Sequence, residues 1–443
     1  MVHAFSFEGR NFLYDVNSGS LHVCDEAAFF VAQKRGGKDV LPPAGVTAAA
    51  LARAQTDVES LAAEGMLFSP EISADFDSKP GDLKALCLHI SHNCNLTCGY
   101  CFADGGSYRG CAADMPFDVA KRAVDMLMQR SGGRKNLEID FFGGEPLLNL
   151  ETVKRTVDYA KERALREDKQ FKFTLTTNGL LLSDSTIDYL CAEMENVVLS
   201  IDGRQEVHDR VRRTRAGGGS FDLILDKFLR FKQARGDKSY YVRGTFTSQN
   251  LDFCEDVLFL NDLGFDQISV EPVVLPYGHE LAIKEHHLPQ IAREYEKLAR
   301  IYLERRKTEK WFSFFHFVID LENGPCLKKR LTGCGAGGEY LAVTPSGEIY
   351  PCHQFAEDSG FLTGNVHDGA LDEGVRGTFC ASSLLTKPDC QNCFAKYHCS
   401  GGCAANSIHY AGGINRAHTV TCEMMKKRTE LALAIYAIEK FNV

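Results

Sequence analysis

Six short apolar segments between Ala85 and Pro272 alternate with amphipathic stretches of helical period: ALCLHIS (85–91), LEIDFF (137–142), FKFTLTT (171–177), VVLSID (197–202), YYVRGTFT (240–247) and QISVEP (267–272). Such alternation predicts an α/β fold of parallel strands joined by helical crossovers. Six units in roughly 200 residues fit an open, partial (β/α)6 TIM-like barrel better than a closed eightfold one. In that architecture chemistry gathers beyond the C-terminal strand ends. The unusual residues of this chain fall there. Cys94-Asn95-Leu96-Thr97-Cys98-Gly99-Tyr100-Cys101 follows the first strand, Gly143-Gly144-Glu145-Pro146 the second, Thr177-Asn178-Gly179 the third, and Ser200-Ile201-Asp202-Gly203 closes the fourth.

The chain has 443 residues, more than one hydrophobic core usually serves, so further domains are expected on either side of the barrel. Residues 1–75 read as a small unit of three short strands with a turn at Asn17-Ser18-Gly19, then helical segments, a winged-helix-like module. Residues 76–84 read as a linker, 85–310 as the barrel, and 311–443 as a cysteine- and glycine-rich unit closed by an amphipathic helix from about Glu423 to Phe441. A formal charge of −9 and the lack of any long Lys/Arg run argue against a nucleic-acid partner. The opening residues lack the basic start and apolar core of a signal peptide, and no apolar run is long enough to span a bilayer, so a cytoplasmic protein with no membrane partner is expected.

In a reducing compartment 17 cysteines point to metal or redox chemistry more than to disulfides. Thiolate sulfur is soft and favours iron–sulfur clusters or zinc. Cys94, Cys98 and Cys101 supply three corners of a cluster and leave the fourth metal free, whereas a zinc site would need His89 or His92 to complete it. Gly143 and Gly144 let backbone approach a ligand, Glu145 offers a carboxylate to an ammonium group, and Pro146 fixes the turn. Further on, Cys334 and Cys352 flank Gly347, Cys390, Cys393, Cys399 and Cys403 follow at close spacing, and Cys422 stands apart. A pair of structural zinc knuckles is the alternative for these spacings. Cys24, Cys87, Cys111, Cys191, Cys254 and Cys380 have no partner at ligand spacing and read as small core residues.

The CxxxCxxC ending in Cys101-Phe102, the GGEP after the next strand and the later SIDG resemble the radical S-adenosylmethionine enzymes over residues 85–280. The resemblance implies a 4Fe-4S cluster on Cys94, Cys98 and Cys101 whose open iron binds S-adenosylmethionine, and reductive cleavage to a 5'-deoxyadenosyl radical. It implies further that Gly143, Gly144, Glu145, Pro146, Asn178, Ser200, Asp202 and Arg212 form the S-adenosylmethionine site. Glu145 would take the methionine amino group, Ser200 the ribose or carboxylate, and Arg212 the carboxylate. Arg210 and Arg213 are neighbouring alternatives to Arg212, and Gly217 to Gly219 read as flexible connection. The C-terminal cysteines resemble the SPASM extension, which implies two auxiliary 4Fe-4S clusters. Cys390, Cys393, Cys399 and Cys422 would hold one. Cys334, Cys352 and Cys403 would hold the other, with Cys326 as candidate fourth ligand.

Segments such as VNSGSLHVCD, LCLHISHNCN, GPCLKKRLTGCG, EYLAVTPSGEIYPCHQF and YHCSGGCAANS are similar to the maturases of six-cysteine (SCIFF) ranthipeptides. That resemblance implies thioether cross-links in a ribosomally made, cysteine-rich precursor peptide. It also implies a leader peptide taken by the N-terminal module and an electron donor such as flavodoxin or ferredoxin. Two other readings stand beside it: another SPASM peptide modification, namely Ser/Cys dehydrogenation or carbon–carbon cross-linking, and an iron–sulfur redox sensor that binds DNA. Glu271, at the end of the sixth strand, is either pocket lining or a structural carboxylate.

Overall fold

The computed structural model describes residues 1–71, 79–108, 110–324 and 326–443; the first part of the expected linker, residues 76–78, and the end of the expected N-terminal module, residues 72–75, therefore lie outside the described residues. The N-terminal unit is a three-stranded antiparallel sheet, β1 (Val2–Phe7), β2 (Arg10–Asp15) and β3 (Leu21–Cys24), followed by α1 (Glu26–Arg35) and α2 (Ala48–Ala63). Asp25 and Thr47 cap the two helices, accepting from the Ala28 and Ala50 amides. Strand alternation gives the sheet two apolar faces. Leu13 packs with Val31, Ala54 and Val58 under the helices, whereas Phe12 and Tyr14 point the other way into the main core.

The barrel strands are β4 (Ala85–Ser91), β6 (Asn136–Gly143), β7 (Gln170–Thr177), β8 (Asn196–Ser200), β10 (Tyr240–Phe246) and β11 (Gln267–Pro272); the short β5 (Leu96–Cys98) and β9 (Arg212–Thr214) form a separate antiparallel pair. Helices α3 (Phe117–Arg130), α4 (Leu150–Arg166), α5 (Asp184–Glu193), α6 (Gln205–Val211), α7 (Phe221–Arg235), α8 (Phe253–Asp262) and α9 (Leu288–Arg305) make the crossovers and the exit. The six expected strands lie in sequential order in one parallel array, consistent with a partial barrel. The sheet runs on at both ends. On one side it takes β12 (Ser313–Phe314), and on the other β13 (Tyr340–Val343), β14 (Glu348–Tyr350) and β15 (Gly364–Asn365) of the cysteine-rich unit, so ten strands share one mixed sheet. That unit is completed by α10 (Leu327–Thr332), α11 (Glu373–Ala381), α12 (Lys396–Cys399), α13 (Ala404–Ala411) and α14 (Thr419–Phe441). The last helix starts before Glu423 and takes in Cys422. Among the described residues no helix is long and apolar enough to cross a membrane.

Period-two alternation explains where the site lies. Leu137, Ile139 and Phe141 of β6, Phe171, Phe173 and Leu175 of β7, and Val197 and Leu199 of β8 are buried beneath the helices. The residues between them face the concave side. There Thr176, Ser200, Arg243, Thr245 and Glu271 line one cavity.

The N-terminal sheet docks on the cysteine-rich unit. The Tyr14 hydroxyl lies 2.8 Å from His398 Nε2, the His3 ring stacks on Phe394 at 3.5 Å between centroids, and His3 Nε2 is 2.8 Å from Glu430 on α14.

Candidate functional site

Cys94, Cys98 and Cys101 converge on a cavity of about 150 Å³ whose other walls carry Gly143, Gly144, Glu145, Asn178, Ser200 and Arg212. Two backbone contacts bring the cysteine loop and the glycine turn together: the Gly144 amide donates to the Ser91 carbonyl and the Glu145 amide to the Asn93 carbonyl, both at 2.8 Å. Only glycine permits this. A Cβ on Gly144 would stand 2.2 Å from the Asn93 carbonyl oxygen, and Gly143 has φ +125° with the Ser91 oxygen 2.4 Å from where its Cβ would be. Gly106 closes the cradle against Gly144 and the Cys94 Cβ. Three soft thiols facing a wall of bare backbone fit a cluster that must also admit a ligand.

Glu145 is 1% exposed and accepts hydrogen bonds from the Asn178 amide (2.7 Å), Thr177 Oγ1 (2.8 Å) and the Leu147 amide (3.1 Å). Burial pushes its carboxyl up to about 7, even though these bonds and Arg212 oppose the shift. Among the described residues no cation pairs directly with this carboxylate, which leaves it able to accept one. Asn178 does two jobs: its amide holds Glu145, and its side chain donates to Asn95 Oδ1 at 2.7 Å, steadying the cysteine loop.

Arg212 is the arginine that turns inward; Arg210 and Arg213 are exposed. The cause is β9, which pairs with β5 and sets Arg212 directly opposite Cys98. Gly217 to Gly219 are not a loose connection: Thr214 and Gly218 close a turn that returns the chain, and Arg215 Nε donates to the Cys94 carbonyl at 2.6 Å. Arg212 Nη1 donates to the Tyr100 hydroxyl at 2.7 Å and stands 3.8 Å from Asp202, while its buried Nε has no hydrogen-bond partner among the described residues. Burial works against this cation, but Tyr100, Cys98 and Asp202 outweigh it and hold its pKa well above the usual value. Burial raises the Asp202 carboxyl, opposed by Arg212, Tyr100 and the Thr245 amide.

The small cavity opens into a larger one of about 950 Å³, lined on one side by Tyr100, Phe102, Ser200 and Arg212 and on the other by auxiliary cysteines. Cys390, Cys393, Cys399 and Cys422 all reach it, as do Cys334 and Cys403. Cys352 is buried just behind, and His353 beside it lines the cavity. Burial pushes Cys390 up to about 11 and Cys422 up to about 12, with the neighbouring cysteines adding to both. Burial likewise raises Cys352, and Cys403 and Cys334 add to the shift. Cys326 stands elsewhere, exposed at the N-terminus of α10 and outside the cavity lining. None of the 17 cysteines, all of them among the described residues, is in a disulfide.

His89 and His92, which a zinc site would use, do not line the small cavity; His89 Nδ1 lies 3.0 Å from His92 Nε2, and burial keeps both below the usual histidine pKa. Several residues of the site carry no sequence signature. Tyr100 is one. Lys387 is another, buried and donating to the Gly401 carbonyl at 2.8 Å beside the auxiliary cysteines. His353, which stands 5.6 Å from the Phe102 ring, is a third. Their places depend on contacts between distant segments, although the position of Tyr100 inside the cysteine motif and of His353 after Cys352 were available clues.

Residues 88–259 match the model of the radical SAM superfamily, and residues 334–394 match that of SPASM, an iron–sulfur cluster-binding domain. The chain is 24% identical over 365 residues to the radical SAM cyclopropyl synthase TigE of Paramaledivibacter caminithermalis, covering 78% of this chain and 72% of TigE. Two solved structures share the fold. Native anSMEcpe with bound AdoMet and Cp18Cys peptide aligns at TM-score 0.67 and 20% identity over 82% of this chain and all of that one. Streptococcus suis SuiB bound to precursor peptide SuiA aligns at TM-score 0.54 and 16% identity over 95% of this chain and 98% of that one. The motif-bearing cavity at the strand ends and the cysteine-lined extension beyond it thus carry matching domain models, and the chain contains a radical SAM domain and a SPASM domain.

Proposed function

We propose that the chain is a peptide maturase that installs cysteine thioether cross-links in a ribosomally synthesised, cysteine-rich precursor peptide. The observation that carries the reading is the shared cavity: Tyr100, Ser200 and Arg212 of the small pocket and Cys334 and Cys403 of the cysteine-rich unit line the same space. A substrate side chain there can be reached from both sides. With S-adenosylmethionine and a 4Fe-4S cluster bound, the pocket would supply a 5'-deoxyadenosyl radical.

In this reading Cys94, Cys98 and Cys101 hold the radical-generating cluster. Cys390, Cys393, Cys399 and Cys422 hold one auxiliary cluster, and Cys334, Cys352 and Cys403 the other, which makes three in all. Glu145 takes the methionine ammonium, Arg212 its carboxylate, and Ser200 the ribose. Gly143, Gly144 and Pro146 keep the backbone low beneath the ligand, Asn178 ties Glu145 to the cysteine loop, and Asp202 anchors Arg212. Residues 1–75 act as a winged-helix-like leader-recognition module, 85–310 as the radical domain, and 311–443 as the SPASM domain. The unpaired edges of the N-terminal sheet are suited to strand addition by a leader. SuiB, which aligns over nearly the whole chain, was solved with a precursor peptide. A flavodoxin or ferredoxin would deliver the electron in the cytoplasm, a compartment that keeps thiols reduced.

The test is anaerobic incubation of the reconstituted protein with S-adenosylmethionine, a reductant and candidate cysteine-rich precursor peptides, followed by mass spectrometry. Thioether formation requires loss of two hydrogens per cross-link, thiols that no longer alkylate, and 5'-deoxyadenosine. Loss of two hydrogens with every thiol still alkylatable would instead mean carbon–carbon cross-linking or dehydrogenation, chemistry nearer to the cyclopropyl synthase named among the relatives.

A further inference from the structure

The charged side chains of the large cavity can be paired off almost completely. Arg416 pairs with Asp389 at 3.2 Å, Lys426 with Glu423 at 2.7 Å, Arg428 with Glu271 at 3.5 Å, and Arg212 with Asp202 at 3.8 Å. Lys396 donates to the Gln391 carbonyl at 3.2 Å and faces Glu71 at 3.9 Å. Arg243 is left over. Among the described residues its guanidinium makes no hydrogen bond or ion pair, although it lines the cavity.

Glu271 cannot satisfy it, because that carboxylate is already held. Ser269 Oγ donates to it at 3.0 Å, His316 Nε2 stands at 2.9 Å, and Arg428 reaches it from α14. The place of Arg243 is fixed by register. It stands directly beside Ser200 on β8 and Ser269 on β11, and in-register neighbours in a parallel sheet project from the same face about 5 Å apart. The guanidinium therefore lies one strand from the wall of the small pocket, between it and the Glu271–His316–Arg428 group. His353, beside Cys352, is near enough to feel its charge.

We propose that Arg243 is a substrate-binding residue that grips a carboxylate of the peptide beside the carbon to be modified, so that the enzyme selects core sequences carrying an acidic group there. A planar fork with two parallel N–H donors matches a carboxylate better than any neutral group, and the nearby cavity carboxylate, Glu271, feels the Arg243 charge but is engaged by His316 and Arg428 and makes no ion pair with it. This rests on the peptide-substrate reading and adds a specificity to it. Both an Asp or Glu side chain and a free peptide C-terminus present the same chemistry.

The experiment uses holoenzyme with S-adenosylmethionine and three short cysteine-containing peptides: one with Glu and an amidated end, one with Gln and an amidated end, and one with Gln and a free C-terminus. Wild type should bind a carboxylate-bearing peptide about tenfold or more tighter than the amidated Gln peptide. The member of the set that gains tells side chain from terminus. Arg243→Gln should erase the preference. Arg243→Glu should invert it toward a fourth, amidated peptide with Lys in place of the Gln, a gain that misfolding cannot produce. Equal binding of all three peptides to wild type overturns the inference while leaving the peptide reading standing. Binding of none overturns both. If Arg243→Gln weakens S-adenosylmethionine binding and leaves the peptide preference intact, the guanidinium serves the cofactor and the inference is wrong.

Discussion

Tyr100 donates its hydroxyl proton to both carboxylate oxygens of Asp202, at 2.7 and 2.9 Å, and the same oxygen accepts from Arg212. The cysteine loop is thereby tied to the end of the fourth barrel strand and to the arginine that faces the small pocket. One hydroxyl serves the anion and the cation at once.

Removing the anion should therefore be worse than removing the link. Asp202→Asn leaves the buried Arg212 without a counter-charge and should cost roughly 3 kcal/mol. Tyr100→Phe loses charge-assisted hydrogen bonds to both partners but leaves Asp202 facing Arg212, and should cost about 2 kcal/mol. Anaerobic denaturant titration of matched reconstituted samples measures the order. Equal stability of the two variants would mean that Arg212 does not depend on Asp202.

Glu145 should make S-adenosylmethionine binding depend on pH. Its carboxyl is raised from 4.5 to about 7 in the fold, chiefly by burial. A raised folded pKa means that the protonated form suits the empty site, so stability falls as pH rises from about 4.5 through 7 and is level above. An incoming ammonium needs the carboxylate instead. Affinity should then rise up to about tenfold per pH unit below 7 and flatten above it. Anaerobic equilibrium dialysis across this range would show the slope, and Glu145→Gln should bind weakly with no slope. A slope retained in that variant would assign the titration to another group.

The strand order, the position of the cavity and the convergence of the cysteine motifs could be read from the sequence, because each follows from local periodicity or close spacing. Leu137, Ile139 and Phe141 announce which face of β6 is covered, and so which residues face the site. What could not be read depends on pairing between remote segments. Nothing near His208-Asp209-Arg210-Val211-Arg212-Arg213 says which arginine turns inward; the antiparallel match of β9 to the cysteine loop decides it. Likewise Arg243 reads as one more residue of a strand until its register with Ser200 is known. The extension of the barrel sheet by β13 was hidden for the same reason: Tyr340–Val343 is too short to declare its neighbour, Ala85–Ser91.

The N-terminal sheet should loosen when Tyr14 loses its hydroxyl. His398 Nε2 meets that hydroxyl at 2.8 Å, and burial holds the imidazole down to about 4, so it is neutral and its ring nitrogen depends on this partner. Tyr14→Phe strands a buried polar atom beside Cys399, at about 1–3 kcal/mol. Hydrogen exchange of the β1 and β2 amides should speed up by at least about fivefold. Unchanged exchange would show that the His3–Phe394 stack and the apolar face alone hold the sheet in place.

Cys326 and Cys334 lie eight positions apart in the sequence yet differ in surroundings. Both residues are solvent-exposed, but Cys334 lines the large cavity, where desolvation by the cavity wall, with Cys403 adding to it, raises its thiol pKa. Cys326 is exposed ahead of α10, outside that cavity. If the fold around these residues is the one that binds metal, Cys326→Ser should keep the iron and sulfide content of wild type after anaerobic reconstitution, whereas Cys334→Ser should lose about one cluster's worth, four irons in a 4Fe-4S cluster. A cluster held by Cys334, Cys352 and Cys403 alone keeps one iron open to an outside thiol, and an added small thiol should then perturb its electron paramagnetic resonance signal in wild type and Cys326→Ser alike. Iron lost from Cys326→Ser to the same extent as from Cys334→Ser would establish Cys326 as the fourth ligand and require α10 to move on cluster binding.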